Sequence, residues 1–285
     1  MTPEILLAVD WSGARRGVRR ALWLAEARAE RLTRLECGRD REETIAHILE
    51  LASREPRLAV GLDFAFSFPA WFLRERGISS AREAWELASR DGDAWLARCE
   101  PPFWGRPGRP RPPNDPARPP FRFTEGERLP IRGIGPKSVF QIGGAGAVGT
   151  GSIRGMPRLL QLSRAGFSIW PFDPPRLPMV LEIYPRWLTG RVSKTSEVSR
   201  RLFLATHADG EDPDILEAAA ASEHALDAAA SALALAHAMA GRASALSDLP
   251  RDHDPLHLLE GRIWNPIGEL RTTRGREIVS ESAAM

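Results

Sequence analysis

The sequence predicts an α/β fold in which helices cover both faces of a sheet. Three apolar runs, within residues 5–10, 57–63 and 177–185, have the length and continuity of strands that are buried on both sides. Segments with a helical pattern alternate with these runs along the chain. The composition, with 43% hydrophobic and 27% charged residues, is that of an ordinary globular protein.

The first three strands are predicted near the start of the chain. Residues 5–10, ILLAVD, form an apolar run that ends in a carboxylate, and the turn-like sequence WSGARRG follows it. Residues 18–27 and 31–38 fit a pair of strands around a short turn, although propensity alone favours a helix for the first segment. We therefore expect these two segments to pair with each other.

A helix and a further strand follow. Residues 40–55 begin with a possible N-cap aspartate, carry a glutamate at the capping-box position and are followed by a proline. Residues 57–63, RLAVGLD, form a second apolar run that ends in a carboxylate. Sites in open α/β sheets lie outside the carboxyl ends of strands, which is where Asp10 and Asp63 are expected.

A long insertion, residues 71–175, separates this strand from the next one. Residues 70–99, which begin one position before the insertion, have a helical pattern. Residues 101–120 contain nine prolines, which predicts an irregular segment. Residues 142–155 are rich in glycine, and a helix is expected over 157–165.

The remaining elements complete a single domain with a core at 1–70 and 176–275. They are a strand over 177–185 with Glu182 inside it, helices over 195–208 and 213–240, and a late edge strand over 261–266. Residues 276–285 are expected to fray.

The charge distribution singles out one segment. Residues 101–158 hold ten Lys or Arg against three Asp or Glu, whereas the rest of the chain holds 29 against 34. Arginine is used almost exclusively, since only Lys137 and Lys194 are lysines, so the arginine count alone is weak evidence for nucleic acid. The basic segment predicts either a surface that meets an anion or a solvated arginine-rich loop.

The sequence also favours a cytoplasmic protein outside the membrane. The first apolar run is five residues long and no basic region precedes it, which does not fit a secretory signal. The alanine-rich segment 223–240 is as long as a membrane span, but four titratable side chains interrupt it. Cys37 and Cys99 lack CxxC spacing, so we expect two reduced thiols.

Four carboxylates are embedded in apolar sequence, at Asp10, Asp63, Glu182 and Asp227. Each alone is as readily a helix cap or part of a structural ion pair. Carboxylates that are brought together without cations repel each other, which raises their pKa values. A bound divalent ion relieves this repulsion, and oxygen ligands favour Mg²⁺ or Mn²⁺. As a set, the four acids predict a metal site.

The segment EHALDAAASALALAHAMA, residues 223–240, suggests how one of these acids reaches the others. His224 and Asp227 are three residues apart and share a helix face, and small side chains continue that face. Such a helix can lie close to a sheet and bring Asp227 within reach of Asp10. The alternative is that Glu223 and Asp227 only complement the positive end of the helix dipole.

These patterns together resemble the RNase H-like fold. The resemblance is carried by the acidic end of the first strand, the second aspartate at the end of a later strand, the glutamate in LEIYPR and the HxxD pattern in EHALDAAASAL. More narrowly, the chain resembles the predicted RNase H-like nucleases of a domain family of unknown function, family 429. The HALDA stretch is similar to the terminal metal motif of Holliday-junction resolvases. The resemblance covers about residues 1–70 and 176–270.

The resemblance implies a mixed five-stranded sheet of order 3-2-1-4-5, with the first three strands antiparallel and the insertion between strands 4 and 5. It implies a nuclease that hydrolyses phosphodiester bonds of DNA or RNA with two Mg²⁺ or Mn²⁺ ions about 4 Å apart. The implied catalytic residues are Asp10, Asp63, Glu182 and Asp227, which would bind metal, and His224, which would position water or bind the second ion. Many such nucleases take a glutamate from the helix after the third strand, where Glu42 or Glu43 is a loose match.

The basic segment then predicts a substrate-binding lobe, because arginine neutralises phosphate and aromatic rings stack on unpaired bases. The expected nucleic-acid-binding residues are Arg106, Arg109, Arg111, Arg118, Arg122 and Lys137. Phe103, Trp104, Phe121 and Phe123 lie between the arginines. The alternative is a proline-rich belt whose aromatic side chains pack on the core.

Three other functions compete with the nuclease. Gly144, Gly146 and Gly149 have GxGxxG spacing and Asp173 follows, which is a weak signal for dinucleotide binding. A phosphotransferase or ATP-binding protein with the same fold would use DWSGA, residues 10–14, as a phosphate loop, with the glycine stretch as a second one. A catalytically inactive scaffold would bind nucleic acid through the insertion and would need no metal.

Overall fold

The computed structural model describes residues 2–127, 130–131, 133–208, 210–240, 249 and 251–265. The strands are β1 (Ile5–Asp10), β2 (Trp23–Arg28), β3 (Arg31–Cys37), β4 (Leu58–Leu62), β5 (Ser168–Ile169) and β6 (Met179–Glu182). The helices are α1 (Val18–Ala21), α2 (Arg41–Arg54), α3 (Ala70–Arg74), α4 (Ala81–Arg98), α5 (Phe123–Gly126), α6 (Gly149–Arg164), α7 (Pro185–Thr189), α8 (Glu197–His207), α9 (Pro213–Ala221), α10 (Glu223–Ala240) and α11 (His257–Glu260).

The strands form one mixed sheet of order β3-β2-β1-β4-β6-β5. β1 pairs antiparallel with β2, and β2 with β3, whereas β4 and β6 continue the sheet in parallel with β1. The α/β class is therefore confirmed, and the strand expected over 177–185 is β6. The expected number of five strands is wrong, because β5 adds a sixth at the edge. Its two residues are too few to leave a pattern in the sequence.

Helices cover both faces of the sheet, as alternate side chains of β1 show. Leu7 and Val9 pack with α2, α4 and α6 in one apolar cluster. Leu6 and Ala8 point to the opposite face and pack with the alanines of α10 in a second cluster. α10 contacts β1, β2, β3 and β4, so the prediction that this helix packs against a sheet is confirmed.

Helix boundaries follow local capping. Asp40 and Glu43 form the predicted capping box at the start of α2. The helix expected over 213–240 is instead two helices, because Ser222 is extended and its hydroxyl accepts from the Ala225 amide to begin α10. The helix expected over 70–99 is likewise divided into α3 and α4.

The helix expected over 157–165 begins much earlier, at Gly149. Glycine disfavours a helix, but here it permits close packing. A Cβ on Gly155 would lie 2.5 Å from the Phe64 ring. The glycines of this segment therefore allow α6 to approach the loop that follows β4.

The C-terminal end is described only in part. In place of the strand expected over 261–266, Ile263 forms a single parallel bridge to Glu182. Pro266 and the predicted tail, residues 276–285, lie outside the described residues. Among the helices that the structure describes, none has the length and apolarity required to cross a membrane.

Candidate active site

A cavity of about 480 Å³ opens at the carboxyl ends of β1, β4 and β6. Asp10 ends β1, Asp63 follows β4, and Glu182 ends β6. The Asp63 amide donates to the Val9 carbonyl at 3.1 Å, which places Asp63 beside Asp10 on the neighbouring strand. All five predicted catalytic residues line this cavity, namely Asp10, Asp63, Glu182, His224 and Asp227.

Asp10 and His224 form the closest polar contact between the strands and α10. His224 Nδ1 lies 2.6 Å from Asp10 Oδ2, with Asp10 buried and the His224 side chain 56% exposed. The hydrogen bond to Asp10 raises the pKa of His224, and burial opposes it. Because Nδ1 donates to the carboxylate, this pair fixes the orientation of the Asp10 side chain.

The pKa of Asp63 is strongly perturbed by its surroundings in the cavity. Burial raises the pKa of its carboxyl well above the usual value, and the charges of Asp10 and Asp227 raise it further. Within the described residues its carboxylate makes no hydrogen bond or ion pair. The positive charge of Lys194 lowers the pKa of Asp63 and so opposes the increase. Asp63 is therefore the acid in this cavity with the least compensation.

Asp227 is paired with a lysine that the sequence did not predict. Lys194 Nζ lies 2.5 Å from Asp227 Oδ1, and both side chains are largely buried. Oδ1 lacks a hydrogen bond of good geometry, so the contact is electrostatic. Burial raises the pKa of Asp227 to about 6, although Lys194 favours the charged form.

Lysine and tyrosine are rare in this chain, and three of these rare residues lie in or next to the cavity. Lys194 is one of two lysines, and Tyr184 is the only tyrosine. Tyr184 lines the cavity, where burial raises its pKa to about 12. The other lysine, Lys137, also lines the cavity. In a chain that otherwise uses arginine, the positions of both lysines were a usable signal.

Glu182 has a different environment from the three aspartates. Arg122 Nη2 and Nη1 lie 2.5 and 2.9 Å from its two oxygens, and the Phe66 amide donates to Oε2 at 3.0 Å. Both oxygens are thus occupied by donors from the protein. The structure places Glu182 in a buried ion pair with Arg122, with which the predicted metal-ligand role would have to compete.

Arg122, which was predicted to contact nucleic acid, is instead held in a buried network of ion pairs. Only 2% of the residue is exposed, and its guanidinium also donates to Glu125 and to the Glu260 carbonyl. Burial raises the pKa of Glu125 to about 7, against the effect of Arg122. This network fixes the insertion to the end of β6 and forms one wall of the cavity.

The remaining predicted nucleic-acid-binding residues are exposed, namely Arg106, Arg109, Arg111, Arg118 and Lys137. Of the aromatic residues between them, Phe103 and Trp104 are buried and attach the insertion to the core. Phe121 and Phe123 are 38% and 49% exposed. The alternative of a packed belt therefore describes the first pair, and the second pair remains accessible.

The two glycine-containing segments meet at the same cavity. A Cβ on Gly13 would lie 2.5 Å from the Gly151 amide nitrogen, and the Trp11 indole donates to the Gly151 carbonyl at 3.2 Å. No strand precedes the glycines within residues 133–142, and Asp173 pairs with Arg82 at 2.8 Å. The described residues therefore lack the strand that a dinucleotide-binding motif requires before its glycines.

The donors in the cavity fit a hard divalent ion in type. Asp10, Asp63 and Asp227 offer carboxylate oxygens, although Asp227 Oδ1 is already paired with Lys194. In the part of the chain that the structure describes, no three His, Cys, Asp or Glu side chains are arranged as a ready-made metal site.

Comparison of the chain with protein-family models, with curated proteins and with solved structures found no match. The function is therefore inferred from the chemistry of this cavity.

Proposed function

We propose that the protein is a nuclease of RNase H-like fold that hydrolyses phosphodiester bonds in DNA or RNA with Mg²⁺ or Mn²⁺. The fold assignment is supported by the order β3-β2-β1-β4-β6 with two antiparallel pairings, and by the packing of α10 across the sheet. The position of Asp10 beside Asp63, with Asp227 reaching in from α10, also supports it.

The observation that carries the proposal is the convergence of three aspartates in one cavity. Asp10, Asp63 and Asp227 belong to separate elements, and their mutual repulsion contributes to the raised pKa of Asp63. Burying carboxylates that repel each other destabilises a fold, so such clusters are concentrated at functional sites. Lys194 compensates only part of this negative charge.

Each residue has a defined task in this proposal. Asp10, Asp63 and Asp227 would hold the ions, which when bound supply a Lewis acid and lower the pKa of water. His224 orients the Asp10 carboxylate through Nδ1. Lys137, at the cavity wall, places a positive charge where a phosphate would enter.

The test combines metal binding with cleavage. Titration calorimetry should detect Mn²⁺ binding to the wild type, and Asp63→Asn should weaken it and reduce cleavage of mixed nucleic acids at least about a hundredfold. The matched control is Asp93→Asn, which changes an exposed carboxylate on α4 outside the cavity. Absence of Mn²⁺ binding, or equal cleavage by Asp63→Asn, would refute the nuclease proposal.

A second candidate is phosphotransfer from ATP, which one observation favours. Gly13, Gly146 and Gly151 line the same cavity as the acids, as two phosphate loops would. ATP binding in the presence of Mg²⁺, measured by calorimetry and lost in Asp10→Asn, would support this candidate over the nuclease.

A further inference from the structure

A second cavity, of about 400 Å³, lies within the insertion. Its lining includes the half-buried Trp71 and the buried rings of Trp104 and Phe140. Arg111 and Arg118 line it together with the proline-rich segment, as do the carboxylates Glu75 and Asp115. Its walls share no residue with those of the acidic cavity. It therefore combines aromatic surface with arginine in a separate site.

Arg111 is the residue that points to a charged ligand. Its guanidinium carbon lies 5.6 Å from the ring centres of both Trp104 and Phe121. In the described chain Arg111 has no carboxylate partner, whereas Arg118 pairs with Glu75 at 2.8 Å. A guanidinium that stacks on aromatic rings of the protein keeps its positive charge and its N–H donors, and it can therefore bind an anion such as phosphate.

The two cavities are neighbours along two stretches of chain. Pro120 lines the second cavity and Arg122 lines the acidic one, and two residues span at most about 7 Å. Phe140 and Lys137 are related in the same way. A ligand that has a phosphate at the acidic cavity can therefore extend to the second cavity within a short distance.

We propose that the second cavity binds an unpaired nucleobase of the nucleic acid whose phosphodiester occupies the acidic cavity. The inference rests on the proposed nuclease function and makes single-stranded nucleic acid, or a single-stranded end, the substrate class. The base stacks on Trp71, the half-buried ring of the cavity, and Arg111 contacts its phosphate. An uncharged proline-rich peptide would leave Arg111 without an anionic partner, so a nucleotide fits the charge better.

The test measures binding in EDTA, where metal-dependent cleavage does not occur. Fluorescence anisotropy compares a labelled oligothymidylate of about eight nucleotides with an abasic oligomer of equal charge. Wild-type protein should bind the abasic oligomer about tenfold more weakly, because a stacked base contributes at least that much. Trp71→Leu should remove most of this difference.

Arg111→Gln provides a second variant, because Arg111 is exposed and its loss leaves the packing around Trp71 intact. It should weaken binding of the oligothymidylate about fivefold or more. The matched control, Arg98→Gln, changes an exposed arginine on α4 outside both cavities and should have a smaller effect.

The outcomes separate this inference from the proposed function. Equal binding of the two oligomers, equal effects of Arg111→Gln and Arg98→Gln, or displacement of the oligomer by a proline-rich peptide would overturn the base-binding site. If base-dependent binding is found but Mn²⁺ supports no cleavage, the nuclease proposal fails and the binding site stands.

Discussion

Lys194 Nζ lies 2.5 Å from Asp227 Oδ1, and Asp227 lines a cavity together with two further aspartates. The lysine supplies one positive charge to a cluster of three carboxylates. When all three carboxylates are ionised and His224 is neutral, a single positive charge leaves the cluster negative, so the cavity then attracts a divalent ion. Lys194 and such an ion compete for the same carboxylate.

Lys194→Met tests this competition. Removal of one partner from a buried ion pair typically costs about 3–5 kcal/mol, and the variant should approach that loss at pH 8 in EDTA. Asp227, with a pKa raised to about 6, can become protonated at pH 5, so the loss should be smaller there. Mn²⁺ should stabilise the variant more than the wild type. Thermal unfolding followed by circular dichroism measures each difference.

Lys137→Met is the control for that experiment, because Lys137 is exposed and has no ion pair among the described residues. It should lower stability by less than about 1 kcal/mol at either pH. A loss as large as that of Lys194→Met would mean that charge near the cavity, and not the contact with Asp227, determines stability.

Asp63→Asn should stabilise the metal-free protein at pH 8 while it abolishes function. The pKa of Asp63 is raised in the folded state, so the wild type loses stability as pH rises from the unfolded value near 3.8 through the folded value. Asparagine removes this loss, and the gain at pH 8 should be at least about 1 kcal/mol. At pH 3 the two proteins should be equally stable. Urea unfolding at both pH values measures this difference. A variant less stable than the wild type at pH 8 would contradict the raised pKa of Asp63.

The ends of the strands and the packing of α10 on the sheet could be predicted, because each leaves a local pattern in the sequence. Apolar runs that stop at Asp10 and Asp63 place these acids at strand ends, and the small residues of α10 indicate close packing. The partners of the acids leave no such pattern. Arg122 and Lys194 reach Glu182 and Asp227 only through tertiary packing, so no periodicity in the sequence reveals either pair.

The helix α6 shows a second limit of sequence-based reasoning. Its glycines predict a loop by propensity, but contact between Gly155 and Phe64 requires the absence of a side chain. Close packing between distant segments decided the local structure. The same contact brings the glycine-rich segment to the cavity, where the sequence predicted it only under the phosphotransferase alternative.

The ion pair of Arg122 and Glu182 should prove structural and not metal-binding. Arg122→Met leaves buried carboxylates without a cation and should destabilise the protein by about 3–5 kcal/mol. The double variant Arg122→Met, Glu182→Gln should recover part of this loss, because the carboxylate that the first substitution leaves unpaired is itself replaced by a neutral amide. Urea unfolding of the two variants measures the recovery.

Metal binding distinguishes the two roles of Glu182. If the pair is structural, Glu182→Gln retains Mn²⁺ affinity within about threefold, whereas Asp63→Asn loses it. Loss of Mn²⁺ binding in a folded Glu182→Gln protein would restore the metal-ligand role for this residue.

His224→Asn should show a pH-dependent loss of stability whose sign follows from the contact with Asp10. The hydrogen bond to Asp10 raises the pKa of His224 above 6.5 in the folded state, so its contribution is complete below the unfolded pKa and disappears as pH rises through the folded value. Because the side chain is 56% exposed, solvent screening limits the contribution to about 0.5–1 kcal/mol. The variant should therefore lose stability at pH 6 and very little at pH 9, as measured by urea unfolding in EDTA.

His237→Asn is the matched control, because this histidine lies on the same helix and away from the cavity. It should leave the contact between His224 and Asp10, and the pH dependence that this contact gives, unchanged. His224→Asn should also reduce cleavage about tenfold to a hundredfold while it retains Mn²⁺ binding, because an unsupported Asp10 carboxylate is less well oriented. An equal loss of stability at pH 6 and pH 9 would show that His224 acts through packing, and the orienting role for Asp10 would then be lost.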